Sequence, residues 1–187
     1  MAGIDPSRQF VPLNIAVLTL SDTRNLGDDK SGALLVERIE KAGHAIADRA
    51  IVTDDVEEIR AQLKRWIADE AVDVIITTGG TGFTGRDVTP EAIEPLFDKR
   101  MDAFAMMFLL VSQGKIGTSA IQTRATAGVA GTTYIFCLPG SPGACRDGWD
   151  EILVHQLDYR YRPCNFVEIM PRLDEQLRRG KTKIPRS

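Results

Sequence analysis

Residues 74–87, VIITTGGTGFTGRD, constrain this chain more than any other stretch. Three apolar β-branched residues, Val74, Ile75 and Ile76, lead through Thr77 and Thr78 into a glycine cluster. The pattern predicts a buried strand emptying into a loop that lies close to a ligand. Lacking a Cβ, Gly79, Gly80, Gly82 and Gly85 can take positive φ and turn backbone N–H groups toward an anion. Thr89-Pro90-Glu91 then predicts a helix start, with Thr89 as N-cap and Pro90 in the first position. Strand, glycine loop and helix start together suit a phosphate. Asp87 stands between loop and helix, where a carboxylate can meet the ligand or a cation.

Two familiar loop types fit the letters but not their surroundings. Gly80-x-Gly82-x-x-Gly85 has the dinucleotide spacing, which requires an acid ending a strand about 20 residues on. Residues 101–110 read instead as helix. A Walker loop requires Lys and Ser/Thr where this chain has Arg86 and Asp87. A mere connecting turn needs one or two glycines rather than this cluster.

Alternation of strand and helix extends along the whole chain. Asn14–Leu20 is a first strand, apolar enough to be covered on both faces. A polar loop follows, and Ser31 is placed to cap a helix running to Ala42 and ended by Gly43. Residues 44–52 contain a second strand. The run Asp54-Asp55-x-Glu57-Glu58 resembles a capping box for a helix reaching about Asp69, with Ile59, Leu63, Trp66 and Ile67 inward. A third strand, 73–78, precedes the glycine loop. Helices are predicted over 89–97 and 104–113, a short helix or turn over 119–124, and two strands, 125–130 and 132–138, about Gly131. A second glycine loop, Pro139-Gly140-Ser141-Pro142-Gly143, opens a helix from Ala144 to about Leu157. Helix 104–113 is apolar around most of its circumference, which predicts burial on two sides, one of them by another subunit.

This order implies right-handed crossovers and a three-layer α/β domain with a mostly parallel central sheet. The length of 187 residues suits one domain. Its expected parts are an N-terminal arm over 1–12, the α/β body over 13–170 and a basic, solvated tail over 171–187. Ligands in such sheets bind outside the carboxyl ends of the strands. Those ends are Ser21-Asp22, Thr53-Asp54, the glycine loop and PGSPG, all expected on one rim.

Several functions are disfavoured. A net charge of −3 supplies no field for nucleic acid or membrane. No apolar run in the sequence reaches membrane-span length, and residues 1–10 lack a signal-peptide core. Cys137, Cys145 and Cys164 are odd in number and lack C-x-x-C spacing, as expected of reduced thiols and a cytoplasmic location. His44 and His155 are too few and too far apart in sequence to suggest a zinc site or a Ser-His triad.

Six segments occur in a familiar order: Ser21-Asp22-Thr23, Asp29-Lys30-Ser31-Gly32, Thr77-Thr78-Gly79-Gly80-Thr81-Gly82, Arg86-Asp87-Val88-Thr89-Pro90, residues 119–124, and Leu138-Pro139-Gly140-Ser141-Pro142. By them the chain resembles the MoaB/MogA family of molybdenum cofactor biosynthesis proteins over residues 13–170. GTSAIQTRA and RPCNF look closest to the MoaB branch. The resemblance implies the MoaB/MogA-like three-layer αβα fold and binding of molybdopterin, a phosphate-bearing pterin dithiolene. Active members adenylylate it with Mg-ATP and release pyrophosphate, acting as molybdopterin adenylyltransferases.

Carried onto this chain, the resemblance makes Asp54 and Asp87 the catalytic acids that hold Mg²⁺ and orient ATP. Gly79, Gly80, Thr81 and Gly82, with Pro139, Gly140 and Ser141, would cradle the pterin side. Ser21, Asp22, Thr123 and Arg124 would add polar contacts. It also implies a homotrimer or homohexamer and, as a partner, the downstream molybdate-inserting protein. The residues alone leave simpler roles open: helix capping for Asp54, loop capping for Asp87 and a surface ion pair for Arg124. Two other functions remain, a non-catalytic molybdopterin carrier and a general nucleotide-binding module.

Overall fold

The structure, a computed structural model, describes residues 2–175. The elements run in order β1 (Gly3–Ile4), β2 (Asn14–Leu20), α1 (Lys30–Lys41), β3 (Ala45–Val52), α2 (Val56–Ile67), β4 (Val74–Thr78), α3 (Thr89–Ile93) and β5 (Lys99–Arg100). There follow α4 (Asp102–Ile116), β6 (Thr126–Ala130), β7 (Thr133–Leu138), α5 (Pro142–Gly148), α6 (Val154–Gln156), β8 (Tyr161–Arg162) and α7 (Phe166–Ile169). Most of the expected basic tail, residues 176–187, lies outside the described residues.

The central sheet has the order β3-β2-β4-β7-β6-β5. Its first four strands are parallel; β6 and β5 are antiparallel to their neighbours. Strand periodicity divides the core in two. Ile15, Val17, Val74, Ile76, Tyr134 and Phe136 face one side, where Leu35 and Ile39 of α1, Phe104 and Phe108 of α4 and Trp149 cover them. Ala16, Leu18, Ile75, Ile135 and Cys137 face the other, beneath Ile59, Leu63 and Trp66 of α2 and Ile93 of α3. Both sides of the first strand are therefore covered, and the layers are α, β, α.

The structure corrects several local expectations. Asp29, not Ser31, caps α1: its Oδ1 accepts the Gly32 amide at 2.9 Å and its Oδ2 accepts the Thr19 hydroxyl at 2.7 Å. Ser31 lies inside the helix. Thr89 is not a cap either; it is the first residue of α3, and its hydroxyl donates to Gly79 O at 2.8 Å. The helix expected from Ala144 to Leu157 is α5, a π turn over Trp149–Leu153, and α6. Two short pairings have no signal in the sequence: β5 on β6, and β1 on β8. Residues 1–12, read as an arm, also contain Phe10, whose ring lies 5.0 Å from that of His44.

Helix α4 turns Phe104, Phe108 and Ser112 inward and leaves Met106, Met107, Leu109 and Leu110 exposed. With the 3-10 turn that follows, it forms a run of 21 residues, Asp102–Gln122, long and apolar enough by composition to cross a membrane. That revises the expectation that no apolar run reaches such a length. In the fold, α4 buries one stripe against the sheet and leaves most of its circumference exposed, so within this chain it is covered on one side rather than two.

Candidate functional site

Strand register builds the site. Thr19 pairs with Thr78, Leu20 with Val52, and Thr78 with Leu138, so the four parallel strands end in one row. Each chain crossing that row turns outward from the same rim. The Gly79 amide continues the ladder to Leu138 O at 3.1 Å, and the Ser21 amide continues it to Val52 O at 2.9 Å.

The two glycine turns touch. A Cβ on Gly140 would come 3.1 Å from Gly79 Cα. Gly79 itself has φ +116°, and a Cβ there would lie 2.3 Å from Leu20 O. Gly80 has φ +61°, and its Cβ would press on the Thr89 hydroxyl at 2.3 Å and on Asp54 Oδ1 at 3.0 Å. A side chain at either position would close the space the loop leaves above the strands.

Arg124 braces this loop. Its Nε donates to Gly82 O at 2.8 Å and its Nη2 to Asp87 O at 2.7 Å, while Nη1 pairs with Glu91. Its backbone amide donates to Thr81 O at 2.8 Å, and its guanidinium lies 5.4 Å from the Phe83 ring centre. The structure thus places Arg124 as a clamp on the loop backbone that also pairs with an acid.

The acids differ in their surroundings. Asp55 caps α2, its Oδ1 accepting the Glu57 and Glu58 amides at 2.9 and 3.0 Å. Asp54 is thereby released from capping, and its Oδ1 is buried with no hydrogen-bond partner. Burial, and then the nearby charges of Asp22 and Asp87, push the Asp54 carboxyl above the usual carboxylate range; Arg86 opposes them. Burial acts in the same direction on Asp87, but hydrogen bonds from Thr84 and Gly82 and the charge of Arg124 hold its carboxyl below that range. Asp87 Oδ2 accepts both the amide and the hydroxyl of Thr84, at 2.8 and 2.7 Å, which is a loop-capping geometry. The Asp54 and Asp87 loops do not follow neighbouring strands, because β2 lies between β3 and β4. The glycine loop lies against both acids: a Cβ on Gly80 would come 3.0 Å from Asp54 Oδ1, and one on Gly82 would come 2.8 Å from Asp87 Oδ2.

A cleft of about 480 Å³ opens beside the loop. Of the residues singled out from sequence, Gly80, Thr81, Gly82, Asp87, Thr123, Pro139, Gly140 and Ser141 line it. Gly79, Ser21, Asp22, Asp54 and Arg124 do not. Ser21 Oγ accepts the Thr23 and Arg24 amides, shaping a turn, and Ser141 Oγ caps α5 by accepting the Ala144 amide. Thr123 Oγ1 is buried without a partner. Arg24, Gln122 and Pro142 also line the cleft and were not anticipated. Arg24 had a signal, as the one cation in the polar loop that follows the first strand before Lys30. Among the described residues no cluster of three or more His, Cys, Asp or Glu side chains is suited to a metal ion. One or two carboxylates with phosphate oxygens and water suffice for magnesium.

Comparison with known proteins adds the family. A model described as the probable molybdopterin binding domain matches residues 16–159. Molybdenum cofactor biosynthesis protein B of Escherichia coli (strain K12) is 49% identical over 160 residues, covering 86% of this chain and 94% of that protein. The protein of the same name from Bacillus subtilis (strain 168) is 41% identical over 147 residues, covering 78% and 86%. A crystal structure of molybdenum cofactor biosynthesis protein B superposes with TM-score 0.81 at 36% identity, covering 90% of this chain and all of that one. The tungsten cofactor synthesizing protein MoaB from Pyrococcus furiosus superposes with TM-score 0.70 at 38% identity, covering 76% and 91%.

Proposed function

The chain belongs to the family of probable molybdopterin binding domains, with MoaB and MogA proteins among its relatives and structural neighbours, and on that premise we propose that it adenylylates molybdopterin. Its place in molybdenum cofactor biosynthesis follows from the same relatives. The finer reading is a nucleotidyl transfer: a phosphate oxygen of the pterin attacks the α-phosphorus of ATP, the bond to the β-phosphate oxygen breaks, and pyrophosphate leaves.

The observation that carries this reading is the unpartnered Asp54 Oδ1, buried against Gly80 and beside two other carboxylates. A buried carboxylate oxygen left without a donor is costly unless a cation meets it. Asp54 and Asp87 would hold Mg²⁺ on this side of the loop. When bound, the ion supplies charge neutralisation for the nucleotide phosphates. The rest of the work is positioning, which dominates in phosphoryl-type transfer. The clamp by Arg124 fixes Gly82 and the Asp87 backbone relative to Thr81. No general base is required, because the attacking phosphate oxygen is already anionic.

Incubating the protein with molybdopterin and Mg-ATP should give adenylyl-molybdopterin, detectable by its mass, with one pyrophosphate per product. Its absence under saturating conditions would contradict the enzyme reading. A second reading, a carrier that binds the pterin without turnover, is favoured by one observation: Asp87 Oδ2 is already engaged by Thr84. Tight pterin binding with no pyrophosphate would select it.

A further inference from the structure

We propose that Arg24 receives the phosphate of the pterin substrate and makes the site selective for phosphorylated over phosphate-free pterins. The inference rests on the binding reading above. Among the residues lining the cleft, Arg24 is the one with a cationic side chain, and it shares that cleft with Gly80, Thr81 and Gly82. The other arginines near the loop are committed: Arg124 to Gly82 O, Asp87 O and Glu91, and Arg86 to Asp22. Among the described residues no carboxylate pairs with Arg24.

Among the described residues its guanidinium makes one hydrogen bond, and that bond is replaceable. Arg24 Nη1 donates to Gly140 O at 3.2 Å, and the same carbonyl accepts the Ser31 hydroxyl at 2.8 Å. A carbonyl oxygen has two lone pairs, so Ser31 keeps it satisfied when the guanidinium turns away. The backbone beneath Arg24 stays fixed meanwhile. Its amide donates to Ser21 Oγ at 3.2 Å, and Asn25 and Asp28 close the next turn, the Asn25 amide donating to Asp28 Oδ1 at 2.7 Å. A preformed turn therefore presents a planar fork at the cleft wall, held by one neutral acceptor that can be given up. That fork suits bidentate binding of a phosphate.

The test compares the affinities of molybdopterin and its dephosphorylated form, measured anaerobically by titration calorimetry without ATP, for the wild-type chain, Arg24→Ala and Arg24→Lys. A charge-assisted contact predicts that the wild type prefers the phosphorylated ligand by about 10- to 100-fold. Arg24→Ala should cut that preference to about 3-fold or less by weakening the phosphorylated ligand alone, and Arg24→Lys should keep part of it. Melting temperatures within about 2 °C of wild type are expected, because Gly140 O keeps Ser31. If Arg24→Ala weakens both ligands equally, Arg24 only shapes the loop and the proposal fails; an undiminished preference also overturns it. In either case the binding reading stands. A wild-type chain that binds neither ligand would remove the binding reading and this proposal with it.

Discussion

Arg86 grips one carboxylate oxygen of Asp22 through Nε at 2.8 Å and Nη2 at 2.5 Å, while the other oxygen accepts the Asp54 amide at 3.1 Å. One cation thus serves two acids: it holds the Asp22 carboxyl below the usual range and moderates the rise of Asp54. Because the Asp54 carboxyl is raised, the folded state keeps a proton that the unfolded chain has already released. Its destabilising effect therefore grows as pH rises through that window and is complete at neutral pH. Asp54→Asn should raise the melting temperature at pH 7 by about 2 °C while abolishing pterin-dependent turnover. In a carboxyl NMR titration, Arg86→Ala should move Asp54 further upward. A downward move would show that Arg86 does not moderate Asp54.

Gly79 and Gly82 separate folding from function. At Gly79 an added Cβ meets the backbone oxygen of Leu20 at 2.3 Å, and φ is already +116°. Gly79→Ala should cost at least about 3 kcal/mol in urea unfolding. At Gly82 the Cβ would meet the end of the Asp87 side chain at 2.8 Å, a group able to move. Gly82→Ala should cost less than Gly79→Ala, about 1–2 kcal/mol for the Thr84 bonds that Asp87 gives up, yet lose nucleotide affinity by displacing that carboxylate.

His44 should give the stability a pH dependence. Its ring packs against those of Phe10 and Trp149, and its Nδ1 accepts the Leu13 amide at 3.1 Å. Burial lowers its pKa from 6.5 to about 4, opposed only by the charge of Asp158. The unfolded chain therefore binds a proton at a higher pH than the folded one. Stability should fall as pH drops from about 6.5 to about 4, by up to about 3 kcal/mol at about 1.4 kcal/mol per pH unit. His44→Gln should flatten that part of the urea-midpoint profile. An unchanged slope would assign it to other groups.

The outer side of α4 carries Met106 at 65% exposure and Leu110 at 66%, continued by Ile121 at 75% on the 3-10 turn. Apolar surface of this extent on one element predicts self-association of the chain, for which the family resemblance implies a trimer or a pair of trimers. Leu110→Asp with Met106→Glu should shift sedimentation to the monomer without altering the circular dichroism spectrum. A monomeric wild-type chain at micromolar concentration would contradict the prediction.

The parallel sheet and the rim formed by its strand ends were legible because their signals are local. Buried runs such as 74–76 mark strands, and Gly79 and Gly80 mark a backbone of positive φ that favours glycine. Capping was less legible. Asp29, Ser31, Asp54, Asp55 and Thr89 are all competent caps by type, and the choice among them depends on partners distant in sequence. Thr19 and Arg49 draw Asp29 into its place, Gly140 takes Ser31, and Gly79 takes Thr89. Arg24 stood out in sequence as the one cation of its loop before Lys30, but its place in the cleft was not legible, because only the fold brings the loop after β2 beside residues 139–141. The two-residue pairings of β1 with β8 and β5 with β6 are too short to leave a periodicity.

The most direct measurement is pterin-dependent pyrophosphate release by the wild-type chain beside Asp54→Ala and Asp87→Ala, with Mg-ATP present throughout. The account predicts release by the wild type only when molybdopterin is present, and a loss of at least about 100-fold in each variant with pterin binding retained. Release by Asp54→Ala at the wild-type rate, or none by the wild type despite bound pterin, would contradict it.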